Sequence, residues 1–214
     1  MVVAGGVTPT AYVVEDDESI RTLWRWLMES NAIEVRTFDS APEFIAGYPP
    51  GAPGCLVLDL RLPGMSGLEL QEHLKRERID IPIVFVTAHG DVRTAVTALK
   101  EGAVDFIEKP FSYREAVSIV QKAFERDAEN RDRRARHAQV AGRIATLTDR
   151  ERAVLQRIIE GKQNKLIADV LQISIKTVEF HRSKVMEKMG VNSVAELVQV
   201  ALGFSLMDGP DQAR

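Results

Sequence analysis

Five short apolar runs, each followed by a stretch of helical period, fill residues 11–111 and leave few folds open. The runs at 11–14, 34–38, 55–60, 83–87 and 105–108 have the length and the Val, Ile, Leu and Phe content of strands. Strands separated by helices need crossover connections. These pack back on the sheet with a right-handed sense, which makes the strands parallel and covers both faces. The expected fold is α/β, a doubly wound five-stranded parallel sheet. Ligands of such sheets sit outside the carboxyl ends of the strands, beside the reversal of strand order.

The residues at those ends carry chemistry. Glu15 and Asp16 follow the first run and Asp59 ends the third, so the fold gathers carboxylates at one edge. Clustered carboxylates call for a cation, and an oxygen-only donor set of this size suits Mg²⁺, which keeps waters and is completed by a phosphate oxygen. Thr87 and Lys109, at the ends of the fourth and fifth runs, can surround a negative group on Asp59 with a hydroxyl and an ammonium. A strand-end carboxylate facing solvent is the plainer reading of any one of these residues. Five together strain it.

A last helical pattern at Val117, Val120 and Phe124 runs into a mixed-charge stretch free of Gly and Pro, read as a helical linker. Its alternating charges can pair along a solvated helix; direct DNA contact by residues 131–136 is the less favoured role. From Leu147 on, four short helices are expected. Thr148 with Glu151, and Ser193 with Glu196, match capping boxes, and Gly161 and Gly190 mark helix ends.

Charge divides in the same way: residues 1–130 hold 13 Lys and Arg against 21 Asp and Glu, whereas residues 131–207 hold 14 against 8. The basic half contains Asn164-Lys-Leu-Ile-Ala-Asp-Val-Leu, a short turn at Ile173-Ser174, and Ile175-Lys-Thr-Val-Glu-Phe-His-Arg-Ser-Lys. Two helices so closely joined point to a helix-turn-helix. Val178, Val185 and Met189 share the inner face of the second helix with His181 beside them, leaving Lys176, Phe180, Ser183 and Glu187 outside. Ser174 can cap it, and Lys165, Lys176, Arg182 and Lys184 can meet phosphates.

Other classes find little support. No apolar stretch approaches the roughly 18 residues of a membrane span, and residues 1–9 lack the basic and apolar regions of a secretory signal, so a cytoplasmic protein without membrane contact is expected. The single cysteine, Cys55, sits in an apolar run and reads as core. His73 and His89 lack spaced partners and receive no role, and a frayed tail is expected at 208–214. Neither a phosphate-binding glycine loop nor a zinc-ligand cluster occurs.

The segments Val14-Glu-Asp-Asp, Val57-Leu-Asp-Leu-Arg-Leu-Pro-Gly-Met-Ser-Gly, Thr87-Ala-His-Gly-Asp and Gly102-Ala-Val-Asp-Phe-Ile-Glu-Lys-Pro-Phe together resemble the receiver domain of two-component response regulators, a flavodoxin-like fold, over residues 10–125. The resemblance implies that Asp59 is the phosphoacceptor, fed by a sensor histidine kinase. It implies that Asp16, Asp59 and the backbone carbonyl of Arg61 bind Mg²⁺, with Glu15 acting through water, and that Thr87 and Lys109 contact the phosphoryl group. Many relatives carry Asp where Glu15 stands, and Asp17 is a weaker candidate ligand. Phe106, ordinary core by periodicity, becomes with Thr87 half of a switch, and Lys109-Pro110 becomes a cis bond.

Residues 147–207 are similar to LuxR-type helix-turn-helix domains of the FixJ and NarL class, through Leu147-Thr-Asp-Arg-Glu, Asn164-Lys, Thr177-Val-Glu-Phe-His-Arg and Met186-Glu-Lys-Met. The DNA-contact candidates are Asn164, Lys165, Ser174, Lys176, Thr177, Glu179, Phe180, Arg182, Ser183 and Lys184. Relatives often have Lys at the position of Glu179, which can instead accept a hydrogen bond from cytosine N4. The expected organisation is a receiver at 10–125, a helical linker at 126–146 and the DNA-binding domain at 147–207. Phosphorylation would favour a homodimer on double-stranded DNA, with the last helix, around 194–201, in the dimer, and RNA polymerase as a further partner. The alternatives are a phosphorylation-independent regulator that uses the receiver to dimerise and, against the presence of Arg61 where a general acid is needed, a phosphatase.

Overall fold

The computed structural model describes residues 8–88 and 99–207, so the expectations for residues 1–7, for His89 and for a tail from 208 lie outside the described residues. Strands β1 (Thr10–Val14), β2 (Glu34–Phe38), β3 (Gly54–Asp59), β4 (Ile83–Ala88) and β5 (Asp105–Lys109) form one parallel sheet in the order β2-β1-β3-β4-β5. The order reverses between β1 and β3, which opens the crevice at the carboxyl ends of those two strands. β1 and β3 begin one residue before their apolar runs because Thr10 and Gly54 pair in register. β4 and β5 run one residue past theirs because Ala88 pairs with Lys109. Backbone pairing extends a strand beyond its apolar side chains.

Alternation along the strands sends successive residues to opposite faces. Tyr12, Val14, Leu56, Leu58, Ile83 and Phe85 pack with Phe44 of α2 (Ala41–Gly47) and with Leu70 and Leu74 of α3 (Gly67–Arg76). Ala11, Val13, Cys55, Val57, Val84 and Val86 pack with Trp24, Leu27 and Met28 of α1 (Glu18–Glu29) and with Ala116, Val120 and Ala123 of α4 (Tyr113–Ala145). The central strands β1 and β3 are buried throughout, while the edge strand β2 exposes Glu34 and Arg36, as doubly covered and edge strands should.

Chain contacts divide the protein into two units, Met1–Arg131 and Asp132–Arg214. The charged stretch expected as linker is helical and belongs to the 33-residue α4, with Arg136 paired to Asp132 and Arg126 to Glu129. One of its charges is not solvated. Asp127 is buried and accepts a hydrogen bond from the Gly54 amide at 3.1 Å, with the Arg131 guanidinium at 4.0 Å. Arg131 also donates to the Gly51 carbonyl. Two residues of α4 are thus tied to the amino-terminal end of β3.

The second unit has a core of Leu147, Val154, Leu155, Ile158, Ile167, Val178, Val185, Met189 and Leu197. Leu147 precedes the first helix of this unit, and the others come from α5 (Asp149–Ile159), α6 (Asn164–Leu171), α7 (Ile175–Met189) and α8 (Val194–Met207). The Thr148–Glu151 capping box forms in full. At α8 the Ser193 hydroxyl accepts from Glu196 N, but the Glu196 carboxylate reaches back to the amide of Asn192. This helix runs past the expected 201 to Met207, and Phe204 stacks on His137 at 4.4 Å between centroids. The α6–α7 turn closes at Gln172, in the left-handed conformation, with Ile173 N bonded to the Ala168 carbonyl.

Two donors hold the side chain of Glu151. Its carboxylate accepts from Lys188 Nζ at 2.6 Å and from Thr148 N at 2.8 Å, and Lys188 also reaches the Thr146 carbonyl. The bond from Lys188 is the main reason its carboxyl falls from the ordinary 4.5 to about 2.

Two outcomes follow for stability. Asp127→Ala leaves the buried Gly54 amide without its acceptor and should cost about 1–3 kcal/mol of unfolding free energy of the first unit, against a smaller loss for Asp127→Asn, measured by urea titration. For the second unit, a carboxyl with a depressed folded pKa stabilises the fold above the unfolded value near 4.5, and this contribution is lost as pH falls toward 2. Thermal unfolding recorded between pH 5 and 2 should show that decline, and Glu151→Gln should flatten it.

Candidate functional site

At the carboxyl edge of the sheet the ends of three strands deliver two carboxyl groups and one amine to one point. Lys109 Nζ lies 2.7 Å from Glu15 Oε2 and 2.6 Å from Asp59 Oδ2. Glu15 is 3% exposed and Asp59 8%, so little water competes for either carboxylate. The peptide bond after Lys109 is cis, as the resemblance implied. Asp59 Oδ1 accepts from the Arg61 amide at 2.8 Å, which draws Arg61 beside the pocket. Thr87, buried, lies one residue beyond Val86, the register partner of Asp59.

Glu15, Asp16 and Asp59 each offer a carboxylate oxygen within 4.8 Å of the others. Burial pushes the Glu15 carboxyl up to about 7; Lys109 pulls it down, and the charge of Asp59 adds to the rise. Burial lowers Lys109, but its hydrogen bonds to Asp59 and Glu15 outweigh that and hold it above its usual value. One ammonium therefore does not balance the negative charge gathered here. An all-oxygen donor set with charge to spare fits a hard dication such as Mg²⁺.

The loop bearing Glu15 and Asp16 is fixed from several directions. Glu15 N bonds the Phe38 carbonyl, and Arg21 Nη1 of α1 donates to the carbonyls of Glu15 at 2.8 Å and Asp16 at 2.7 Å. Asp17, considered as a weaker metal ligand, is instead the N-cap of α1. Its carboxylate accepts from the amides of Ser19 and Ile20, and those bonds lower its pKa. Neither Arg21 nor the capping role was recognised in the sequence. On the other side, Gly67 N bonds the Leu60 carbonyl, and a Cβ at Gly67 would lie 2.4 Å from the Asp59 carbonyl, so only glycine lets α3 start this close to the end of β3.

Phe106 is partly buried against the α2–α3 side of the core, opposite Phe85 in the register. It also lines an open groove with Asp105, Glu108, Pro110 and Lys122. Its ring is thus less enclosed than an ordinary core aromatic. His73 lies in the last turn of α3, and Cys55 is fully buried, where desolvation raises its thiol pKa and leaves it inert.

In the second unit α7 buries Val178, Val185 and Met189 and exposes Lys176, Glu179, Phe180, Ser183 and Glu187, as its period predicts. Phe180 is 59% exposed, a large apolar ring in solvent. Ser174 accepts from Thr177 N at 3.0 Å and caps the helix. Asn164 and Lys165 open α6, with Lys165 exposed, and Arg182 is half-buried. Lys184 pairs with Glu187 at 2.7 Å on the same helix, so its charge is partly spent locally. At the far end Arg143 donates to the Met189 carbonyl at 2.7 Å, packed against Gly190, whose φ of 63° closes the helix.

Comparison with known proteins agrees with both halves. Residues 11–121 match the response regulator receiver domain and residues 145–201 the bacterial regulatory proteins of the luxR family. The transcriptional regulatory protein FixJ of Bradyrhizobium diazoefficiens is 40% identical over 198 residues, spanning 92% of this chain and 96% of that protein. The solved structure of the response regulator StyR matches with a TM-score of 0.80 at 44% identity over 92% of this chain and 99% of that one. Full-length FixJ from B. japonicum matches with a TM-score of 0.56 at 37% identity, over 94% and 98%. Among the described residues no helix is long and apolar enough to cross a membrane. With its receiver fold, its helical second unit and relatives that share nearly its whole length, the chain belongs to the response regulators that join a receiver domain to a luxR-family domain.

Proposed function

We propose that the protein is a phosphorylation-controlled transcription factor of the cytoplasm, in which a sensor histidine kinase passes a phosphoryl group to Asp59. The observation that carries this reading is the meeting of Glu15, Asp59 and Lys109, from three strands, at hydrogen-bond distance in a pocket nearly closed to water. Residues 10–125 act as the receiver, 126–146 as the connecting helix and 147–207 as the DNA-binding domain.

An Asp59 carboxylate oxygen attacks the phosphorus of a phosphohistidine; the new O–P bond forms as the P–N bond breaks, and the imidazole leaves with the electron pair. Asp16, Asp59 and the Arg61 carbonyl, with Glu15 through water, would hold Mg²⁺, which when bound screens the phosphoryl oxygens. Lys109, already on Asp59 Oδ2, turns to the transferred group and neutralises its added charge. Thr87 donates its hydroxyl to the same group, and the partly buried Phe106 ring follows the space this opens. A changed β5 face then favours a homodimer, the unit that reads two half-sites on double-stranded DNA and meets RNA polymerase.

On DNA, α7 enters the major groove. Lys165, Lys176, Arg182 and Lys184 meet phosphates beside Asn164, Ser174 and Thr177, while Glu179, Phe180 and Ser183 face base edges. An exposed Phe suits a thymine methyl, and a carboxylate suits cytosine N4.

Incubation with Mg²⁺ and acetyl phosphate should add one phosphoryl unit to the intact mass of the parent and none to Asp59→Asn. No gain in the parent, with a control receiver labelled in parallel, would leave a regulator that dimerises without phosphorylation. For the second domain, Lys176→Ala should reduce the slope of log K against log salt by about one, weakening all sequences alike, in fluorescence-anisotropy titrations on duplex DNA.

A further inference from the structure

Asp16 is the exposed member of the carboxylate cluster, and among the described residues no hydrogen bond holds its side chain. Glu15 and Asp59, by contrast, are locked by Lys109 and the Arg61 amide. Whatever sets the direction of the Asp16 carboxylate must therefore act through its backbone. That backbone is gripped by one side chain: Arg21 Nη1 supplies one N–H to the Glu15 carbonyl and the other to the Asp16 carbonyl, at 2.8 and 2.7 Å. Arg21 is itself anchored, because its amide bonds the Asp17 carbonyl and Asp17 caps the helix that carries it.

We propose that Arg21 is a positioning residue for the divalent-cation site: by fixing two successive carbonyls it holds the Asp16 carboxylate over the pocket. The inference rests on reading the pocket as the cation-assisted phosphoacceptor site and adds a residue that touches neither cation nor phosphoryl group. Charge-assisted hydrogen bonds to two carbonyls from a single planar nitrogen are a rigid attachment, and an ammonium in its place can serve both carbonyls only by giving up that fixed fork. Loss of such an outer partner typically weakens metal binding by about 10- to 100-fold.

The sign of the effect separates positioning from simple charge. Removing a nearby cation lowers the repulsion felt by a dication, so a pure field effect makes Mg²⁺ bind more tightly to Arg21→Ala. Positioning makes it bind more weakly. Mg²⁺ alone, titrated calorimetrically into the full chain, should show about tenfold or more weaker binding to Arg21→Ala than to the parent, with Arg21→Lys between the two. The rate of acetyl phosphate labelling, followed by intact mass, should need correspondingly more Mg²⁺ in Arg21→Ala and approach the parent rate at saturation. Far-UV melts check that the variants fold, and Arg21→Lys carries the test if the alanine variant does not. Unchanged or tighter Mg²⁺ binding by a folded variant overturns the positioning role and leaves the phosphoacceptor reading standing. A parent that neither binds Mg²⁺ nor gains mass sinks the phosphoacceptor reading, and this role with it.

Discussion

Three carboxylates facing one ammonium at the carboxyl edge of a parallel sheet are the arrangement around which the receiver half is organised. Buried like charges are tolerated only when paired, and Lys109 provides the pairing for Glu15 and Asp59 at once. It can do so because the parallel order brings the carboxyl ends of β1, β3 and β5 to the same edge of the sheet, with Lys109, in register with Ala88, two residues beyond the level of Asp59 and its partner Val86. The pairing is incomplete. Burial still lifts the Glu15 carboxyl to about 7, so the pocket retains a demand for positive charge that a hard cation can meet.

Much of this was legible in the sequence because each strand-end residue interrupts an apolar run. Asp59 after Val57-Leu58 and Thr87 after Phe85-Val86 mark both the strand end and the chemistry, Lys109 follows the fifth run directly, and the structure brings Lys109 to both Glu15 and Asp59. The helix caps at Thr148, Ser174 and Gly190 were legible for a similar reason, since capping is a local matter of a few residues.

What escaped has backbone partners or partners distant in sequence. Asp17 reads as a third carboxylate beside two others, but the two free amides at the start of α1 take it first. Arg21 bonds carbonyls, which every residue has, so no motif announces it. Asp127 lies in an alternating-charge stretch that reads as solvated, yet it is buried because its acceptor meets the Gly54 amide, 73 residues away. Lys188 and Arg143 add to the basic count of the second half, although both serve the fold, one on Glu151 and one on the Met189 carbonyl.

Asp127 also bears on how a change at Asp59 can be felt elsewhere in the first unit. β3 carries both residues' contacts: Gly54 at its start is bonded to Asp127, and Asp59 ends it. Every residue of this strand is buried, and it is laddered to β1 and β4 on either side, so it is a poor candidate for sliding. The amino-terminal end of β3 therefore acts as a fixed mount for α4, and adjustments around Asp59 must travel through parts that have room to rearrange. β5 has that room, with Phe106 only partly covered and a groove along its flank. On the proposed phosphoacceptor reading, charge added at Asp59 would be felt at β5, the looser edge strand beyond β4, while the attachment of α4 at Asp127 and Arg131 would stay in place.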